Sequence, residues 1–447
     1  MFKKILVANR GDIAVRVIRA AKEMHIPTVA VFSQADADST QVRLADEAVC
    51  IGPAERKGSY LNVANILSAA LITGCDAVHP GIGFLAETSS FAEACSAVGL
   101  KFIGPPVRAI EMMGDKIQAR ATMEKAGVPI VPGTNAPLRD PEEASAMAHR
   151  IGFPVMIKAA AGGGGRGIRV VRHEEEFLRT LKMAQVEAES SFGSSEVYIE
   201  KFIDKFRHVE VQILADEHGN VVHLGERDCS LQTQRYQKMV EEAPAPFLNA
   251  GVRKRICEAA VKAAKAVNYS SAGTIEFIVT PDNHAYFMEM NTRLQIEHPI
   301  TEMVTGIDLV KWQIRIAAGE KLPFSQRQID WKGHSIEVRI TARDPDRDFA
   351  PSAGRINSIR LPGGLGVRID THVYCGYEVP PYYDSMIAKI IVWDEDRAGA
   401  IARMQRALDE TEIVGVKTDL EYHKRIMANQ YFQKGELSTD FLAQHLP

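Results

Sequence analysis

From Phe287 to His298 the chain reads Phe-Met-Glu-Met-Asn-Thr-Arg-Leu-Gln-Ile-Glu-His, with a charged or amide side chain at every second position from Glu289 to Glu297. On an extended strand Glu289, Asn291, Arg293, Gln295 and Glu297 share one face, while Met288, Met290, Thr292, Leu294 and Ile296 take the other. A solvated sheet face would look similar. The preceding strand, Gly273 to Thr280, weakens that reading. A two-residue turn at Asp282-Asn283 sets Glu276 opposite Glu289. Carboxylates facing across an antiparallel ladder repel, and a bound cation resolves the repulsion. Oxygen donors with Asn291 close by suit Mg2+, which keeps some of its waters and bridges protein to substrate phosphates.

A second chemistry-bearing stretch lies earlier. Lys158 closes a short strand from Pro154, and Gly162, Gly163, Gly164, Gly165 and Gly167 follow around Arg166 before another strand at Ile168 to Arg172. Glycines without Cβ atoms let backbone approach phosphate oxygens and let a hairpin swing as a lid. The loop joins strand to strand, with a helix only from about Glu174, so it is not a P-loop, which runs straight into a helix. A third strand, Glu196 to Ile203, carries Glu200 and Lys201 towards His208. An adenine could lie against such a strand, with Glu200 serving its amino group or the ribose. The dense polar run from Gly225 to Pro244, including Cys229, Gln232, Tyr236 and Lys238, lacks apolar periodicity and is expected to be an active-site loop.

The elements that must position these groups follow from periodicity. Strands at Ile5 to Ala8, Pro27 to Phe32, Ala77 to His79 and Phe102 to Ile103 alternate with helices, which predicts a doubly wound α/β domain at residues 1–115. Its first turn, Asn9-Arg-Gly-Asp, lacks GxGxxG, so a dinucleotide dehydrogenase is not supported. Residues 116–330 form the unit with the glycine loop, its lid at about 135–203, and a helix from Val252 to Val267 packs it. Residues 331–447 carry strand-like runs at 336–340, 356–361, 367–371 and 387–393, and a helix with Ile401, Met404 and Leu408 on one stripe. An α+β lobe packed against the middle unit is expected there.

Composition narrows the class. The 447 residues, 46% hydrophobic and 25% charged with net charge -4, suit a globular protein of several domains and leave no basic footprint for nucleic acid. Six scattered cysteines without CxxC spacing argue against a disulfide framework or zinc cluster and for reduced thiols in a cytoplasm. No segment reads as a signal sequence or membrane span.

Taken together, the opening Lys-Ile-Leu-Val-Ala-Asn-Arg-Gly, His79-Pro-Gly, the glycine lid, Glu226-Arg-Asp-Cys-Ser, the Glu289 stretch and Pro380-Pro-Tyr-Tyr-Asp-Ser-Met resemble the biotin carboxylases of the ATP-grasp group, from residue 3 to about 445. The resemblance implies an N-terminal biotin carboxylase domain, an ATP-grasp unit with a mobile glycine lid and a C-terminal biotin carboxylase domain. It implies that Lys116, Lys158, Glu200, Lys201, Ile203, His208, Gln232 and the loop at Gly163, Gly164 and Gly165 bind ATP. Glu276 and Glu289, with Asn291 near, would carry Mg2+, or Mn2+ in its place. Lys238, Arg293, Gln295 and the Ile296 backbone would hold bicarbonate, Glu297 would be the general base, and Arg339 would hold the deprotonated ureido oxygen of biotin beside Ile82. No Ala-Met-Lys-Met biotinylation site occurs. Biotin would arrive on a biotin carboxyl carrier protein and pass its carboxyl group to carboxyltransferase subunits, most simply in the acetyl-CoA carboxylase of fatty acid synthesis. A homodimer is also implied.

Three positions depart from the family's usual pattern. Ile82 stands where Tyr is usual, the Gln232 to Lys238 loop is one residue longer with Tyr236 for His, and Arg343 replaces an acid close to Arg339. They leave open a nucleotide-binding paralogue with impaired carboxylation, acting in a regulatory or assembly role.

Overall fold

A computed structural model describes residues 1–134, 136–138, 140–159, 168–233 and 237–446. Gly163, Gly164 and Gly165, expected at the phosphates, and Tyr236 lie outside the described residues.

The first unit is a five-stranded parallel sheet in the order Glu47–Cys50, Thr28–Phe32, Ile5–Val7, Ala77–His79, Lys101–Phe102. The strand Glu47–Cys50 is not among the expected ones, because its short, largely exposed sequence carries no apolar run. Chain order reverses between Ile5–Val7 and Ala77–His79, and crevices in such sheets open at that reversal, beyond the carboxyl ends of the strands. Here Asn9 follows one strand and Pro80-Gly81-Ile82 the other. Asn9 Nδ2 donates to the carbonyls of Pro80 (2.7 Å) and Ile82 (2.8 Å). Gly81 has φ +67°, and a Cβ there would fall 2.7 Å from Asn9 Nδ2. Only glycine fits this turn, and Ile82 follows it at the rim of the crevice.

Beyond the next pair of strands the same crevice is filled. Arg10 donates twice to Asp36, at 2.7 Å each, and Tyr60 also donates to Asp36. Tyr383 from the far end of the chain stacks over the Arg10 guanidinium at 4.3 Å, and Tyr377 closes the side.

The middle and last thirds share one eight-stranded sheet. Its order is Ala285–Asn291, Ser271–Val279, Arg207–Ala215, Val221–Gln232, Lys238–Ala243, His334–Thr341, Met386–Asp394, Val367–Thr371, and every neighbouring pair is antiparallel. The segment after residue 331 is thus not merely packed on the middle unit: Val240 pairs with Val338 and Glu242 with Ile336 in a continuous ladder. The run read as an active-site loop, Gly225 to Pro244, is corrected to two strands of this sheet, with Glu226, Arg227, Asp228, Glu241 and Glu242 all buried. Its charges are paired internally: Arg253 with Glu226, Arg207 with Asp228, Arg397 with Glu242. Charge on both faces erases the alternation by which a strand is recognised.

The hairpin that opens the site also differs from expectation. Glu276 does face Glu289, but the turn is a longer one, Asn283 N–H bonding back to the Thr280 carbonyl with Asn283 at φ +65°. Phe277 pairs with Phe287, so Met288 is an extra residue, a bulge that restores the Glu276–Glu289 pair. The extended strand itself stops at Asn291. Residues 292–297 form bends and a turn, with Glu297 capping the helix His298–Thr305.

A small three-stranded sheet, Ile168–Val171, Val155–Ala159, Val197–Lys201, stands over this surface with helices Pro141–Ile151 and Phe177–Phe192. Its first two strands form the hairpin expected around the glycine loop, Lys158 pairing with Ile168. Mixed parallel and antiparallel layers of this kind are the α/β and α+β combination that the sequence predicts.

Candidate active site

A cavity of about 600 Å³ lies between the small sheet, the end of the eight-stranded sheet and the crevice of the first unit. Its lining brings together Lys116, Lys158, Glu200, Lys201, Ile203, His208, Gln232, Lys238, Glu276, Glu289, Asn291, Arg293, Gln295, Ile296 and Arg339, with Ile82 from the first unit and Arg343 from the last third. Glu297 lies directly behind, fully buried.

At the centre is the Lys238 ammonium. Its Nζ lies 2.8 Å from Glu210 Oε2, 3.1 Å from Glu276 Oε1 and 2.7 Å from Glu297 Oε1. Burial opposes its charge, yet Cys229 and these carboxylates push it well above its ordinary value. Glu210 is clamped from the other side by buried Arg227, Nε to Oε1. Glu297 Oε2 accepts from Arg339 Nη2 at 3.0 Å. Burial disfavours the Glu297 carboxylate, but Lys238, Arg339 and Arg227 outweigh it and hold the group well below the carboxylate range.

Glu276 shows the same balance. Its Oε1 also accepts from Asn291 Nδ2 at 3.0 Å and Gln295 Nε2 at 3.1 Å, and its Oε2 lies 3.0 Å from His208 Nε2. Burial would raise it; Lys238 and His208 bring it down. Gln232 Nε2 donates to His208 Nδ1 at 2.8 Å, which fixes that ring. Glu289 behaves oppositely, pushed up by burial and then by the facing Glu276. It is a half-buried oxygen ligand short of positive charge, which is what a bound divalent cation supplies. Glu276, Glu289 and Asn291 therefore fit Mg2+. Two other acidic groupings, His208 with Glu210 and Glu276 and Glu210 with Cys229 and Glu297, already surround Lys238, whose ammonium provides the charge a metal would bring.

Arg293 is held by groups that orient its fork. Nε donates to Glu87 Oε2 at 2.8 Å, Nη1 to Gln295 Oε1 at 3.0 Å and Nη2 to Asn291 Oδ1 at 3.1 Å. The Ile296 carbonyl accepts from the buried Lys389 Nζ at 2.8 Å. At the opposite end, Glu200 is gripped by Arg120 on one oxygen and Lys158 on the other, 2.5 Å each. Burial would raise this carboxyl, and Lys158 and Arg120 lower it. Glu200 thereby ties Lys158 to the cavity wall, and each of its oxygens, engaged by one cation, keeps a lone pair for a further donor. Lys201 turns its ammonium to the carbonyls of Gly152 and Phe153, 2.9 Å each, leaving backbone to face the cavity. Arg343 donates to Ser385 Oγ at 2.6 Å and to the Phe349 carbonyl at 3.2 Å.

Glu87, Arg120, Glu210, Glu241 and Lys389 escape the sequence reading. Two carry a usable signal: Arg120 is four residues from Lys116 on one helix, hence on the same face, and Glu210 follows His208 by two on a strand. Glu241 sits in the polar run three residues after Lys238 without a signal of its own, and Glu87 and Lys389 arrive from distant segments that only the fold brings near.

Comparison with known proteins places these residues in context. Residues 1–110 match the family profile described as the biotin carboxylase N-terminal domain, 115–325 that of the carbamoyl-phosphate synthase L chain ATP-binding domain, and 337–444 that of the biotin carboxylase C-terminal domain. Biotin carboxylase 1 of Bacillus subtilis is 55% identical over 443 residues, 99% of this chain and 98% of that one. A pyruvate carboxylase subunit of Methanothermobacter thermautotrophicus is 53% identical over 445 residues, 100% of this chain and 90% of that one. Among solved structures, the biotin carboxylase domain dimer of Hydrogenobacter thermophilus 2-oxoglutarate carboxylase, in complex with MgADP, ADP and bicarbonate, is similar at TM-score 0.94 and 50% identity, over 100% of this chain and 98% of that one. A Campylobacter jejuni biotin carboxylase complex gives TM-score 0.95 and 48% identity, over 100% and 99%.

Proposed function

The chain belongs to the biotin carboxylase family and is an enzyme of ATP-dependent biotin carboxylation; on that premise we propose how the cavity divides the work, with biotin arriving on a separate carrier protein. The observation that carries the reading is one buried carboxylate, Glu297, held by an ammonium on one oxygen and a guanidinium on the other. Lys116, Lys158, His208, Gln232 and the backbone at Lys201 to Ile203 take ATP. Glu276, Glu289 and Asn291 would hold Mg2+, which would supply the positive charge that offsets the phosphates.

Bicarbonate lies at Arg293, Gln295, the Ile296 backbone and Lys238. It is a poor nucleophile until it loses its proton, and Glu297 is the nearest ionised base. An anion bound at Lys238 competes with Glu297 for the ammonium, so the carboxylate grows more basic as substrate arrives. A bicarbonate oxygen attacks the γ-phosphorus, Glu297 takes the proton, and ADP leaves with carboxyphosphate formed in an enclosed site that keeps water out. Carboxyphosphate breaks down to CO2 and phosphate. Phosphate removes the ureido proton of biotin, Arg339 holds the resulting oxygen anion, and the nitrogen adds to CO2.

The acceptor that finally receives the carboxyl group is chosen on a carboxyltransferase partner. We assign acetyl-CoA, and with it cytoplasmic fatty acid synthesis, on the strength of relatives named simply as biotin carboxylases. A homodimer is part of the same reading, supported by the dimeric Hydrogenobacter domain. The phosphate, metal, bicarbonate and base groups gathered around one cavity among the described residues support the enzyme over the nucleotide-binding paralogue.

The test is an assay of purified protein with Mg-ATP, bicarbonate and free biotin. ADP release that requires bicarbonate and rises with biotin is expected. Lack of bicarbonate dependence would overturn the reading. Adding carrier protein and carboxyltransferase with acetyl-CoA, pyruvate or 2-oxoglutarate in turn then decides the acceptor.

A further inference from the structure

One pair of buried carboxylates is not used by the steps above. Glu241 and Glu337 are direct cross-strand partners on Lys238–Ala243 and His334–Thr341, and both are fully buried. Arg339 Nη2 lies 2.5 Å from Glu241 Oε1 and 3.0 Å from Glu297 Oε2, so one guanidinium nitrogen spans both acids. Among the described residues the ion-pair contact with Arg339 is all that Glu241 receives, no oxygen of Glu241 or Glu337 has a hydrogen-bond partner, and Glu337 has no cation in contact. The charged groups acting on Glu337 are Glu241 on one neighbouring strand, Lys389 on the other, Arg339 on its own, and Glu297 just before the helix His298–Thr305. Asp12 and Asp370 lie beyond Lys389, 3.5 and 3.9 Å from its Nζ.

Two facing carboxylates in so dry a place do not both ionise. Burial pushes the Glu241 carboxyl up as well, but Arg339 beside it pulls it back, and Glu337, which has no such contact, is the one left with the proton. Burial first, and then Glu241 and Glu297, push the Glu337 carboxyl well above its ordinary range, Lys389 and Arg339 notwithstanding.

We propose that Glu241 and Glu337 share a single negative charge, with the proton held on Glu337, and that this pair sets how much of the Arg339 charge is left for the deprotonated ureido oxygen of biotin. The second half rests on the role given to Arg339 above. Before turnover Arg339 faces two anions, Glu297 and Glu241. Once Glu297 has taken the bicarbonate proton, only Glu241 remains, and the guanidinium can accept the oxygen anion of biotin. A second ionised acid at Glu337 would repel that anion. The Glu337 proton stays in place through the cycle, so Glu337 is a positioning residue and not a catalytic one.

Infrared difference spectra of Glu337→Gln against the parent protein test where the proton is. The parent is expected to show the carbonyl stretch of a neutral carboxylic acid at neutral pH, absent from the variant. A parent spectrum without such a band, or a band that survives Glu337→Gln, would overturn the proposal. Kinetically, Glu337→Gln mimics the neutral acid and should keep biotin carboxylation within about twofold at neutral pH. It should also lose the alkaline decline that the parent shows in carboxylation but not in biotin-free, bicarbonate-dependent ATP cleavage. An unchanged alkaline decline would overturn the metering role. If Glu337→Gln does not fold, titrating the parent band decides: it must vanish as pH rises above neutrality, and persistence to alkaline pH would overturn the role. A parent enzyme that shows the band yet carboxylates no biotin would sink the assignment of Arg339 and leave the shared charge standing.

Discussion

At the scale of single residues, Glu297 and Arg293 illustrate how each functional group is set by neighbours that no motif names. Glu297→Gln keeps shape but cannot take a proton; bicarbonate-dependent ATP cleavage should fall by about 10²–10⁴-fold while nucleotide affinity in calorimetry stays nearly unchanged. Turnover at the parental rate would remove Glu297 as the base. Glu87→Gln weakens the bond that aims Arg293, and KM for bicarbonate should rise about tenfold, the size of one charge-assisted hydrogen bond, with kcat little altered. A fall in kcat alone would argue against a binding role for Arg293. Arg339→Ala should spare some ATP cleavage and lose biotin carboxylation. It also strands buried Glu241, whose contact cation is Arg339, so a loss of about 3–5 kcal/mol in unfolding free energy should accompany it.

At the scale of elements, the site is carried by irregularities: the Gly81 turn, the Met288 bulge and the bends after Asn291. Gly81→Ala forces a Cβ at φ +67° against Asn9. Denaturant unfolding should show a loss of at least about 1–2 kcal/mol, and KM for biotin should rise as Ile82 shifts; an unchanged midpoint would mean the turn relaxes freely. The same irregularities bound what is legible in the sequence. Alternating polar residues point to the Glu276–Glu289 pair, yet through a two-residue turn that does not exist. The real turn is one register off, and the bulge at Met288 corrects it, because pairing rules read from alternation are blind to an inserted residue. The polar face of Asn291, Arg293, Gln295 and Glu297 reads as strand and is mostly turn, although its members still converge. The apolar start of the Val221–Gln232 strand, Val221 to Leu224, reads as strand; its continuation from Gly225 and the Lys238–Ala243 strand do not, since their charges are neutralised by partners from elsewhere in the chain. Long apolar-striped helices such as Ala250–Ala266 and Arg397–Glu410, which depend on local spacing alone, are plain.

Over the whole molecule, burial of uncharged imidazoles ties stability to pH. Burial depresses His79 to about 4, His372 to about 3 and His298 well below its ordinary value. Unfolding frees each ring to bind a proton below about pH 6.5. Their contribution is therefore complete above that pH and is lost as pH falls towards the folded values, by about 1.4 kcal/mol per pH unit for each ring. Unfolding free energies measured from pH 7 down to pH 4 should show this slope, and His372→Gln should reduce it by one proton; a flat profile would contradict the burial of neutral rings. Among the described residues no helix is long and apolar enough to cross a membrane.

The filled crevice at Arg10 and Asp36 bears on the order in which the chain is made. Arg10 meets Tyr377 across 367 positions. A ribosome releases the first parallel sheet long before the tyrosines that cover its guanidinium exist. Nascent units usually settle one after another as they emerge. Here the first to emerge waits for the last, with a buried-type ion pair open to water in the interval, so the nascent first third is where a chaperone would have most to shelter.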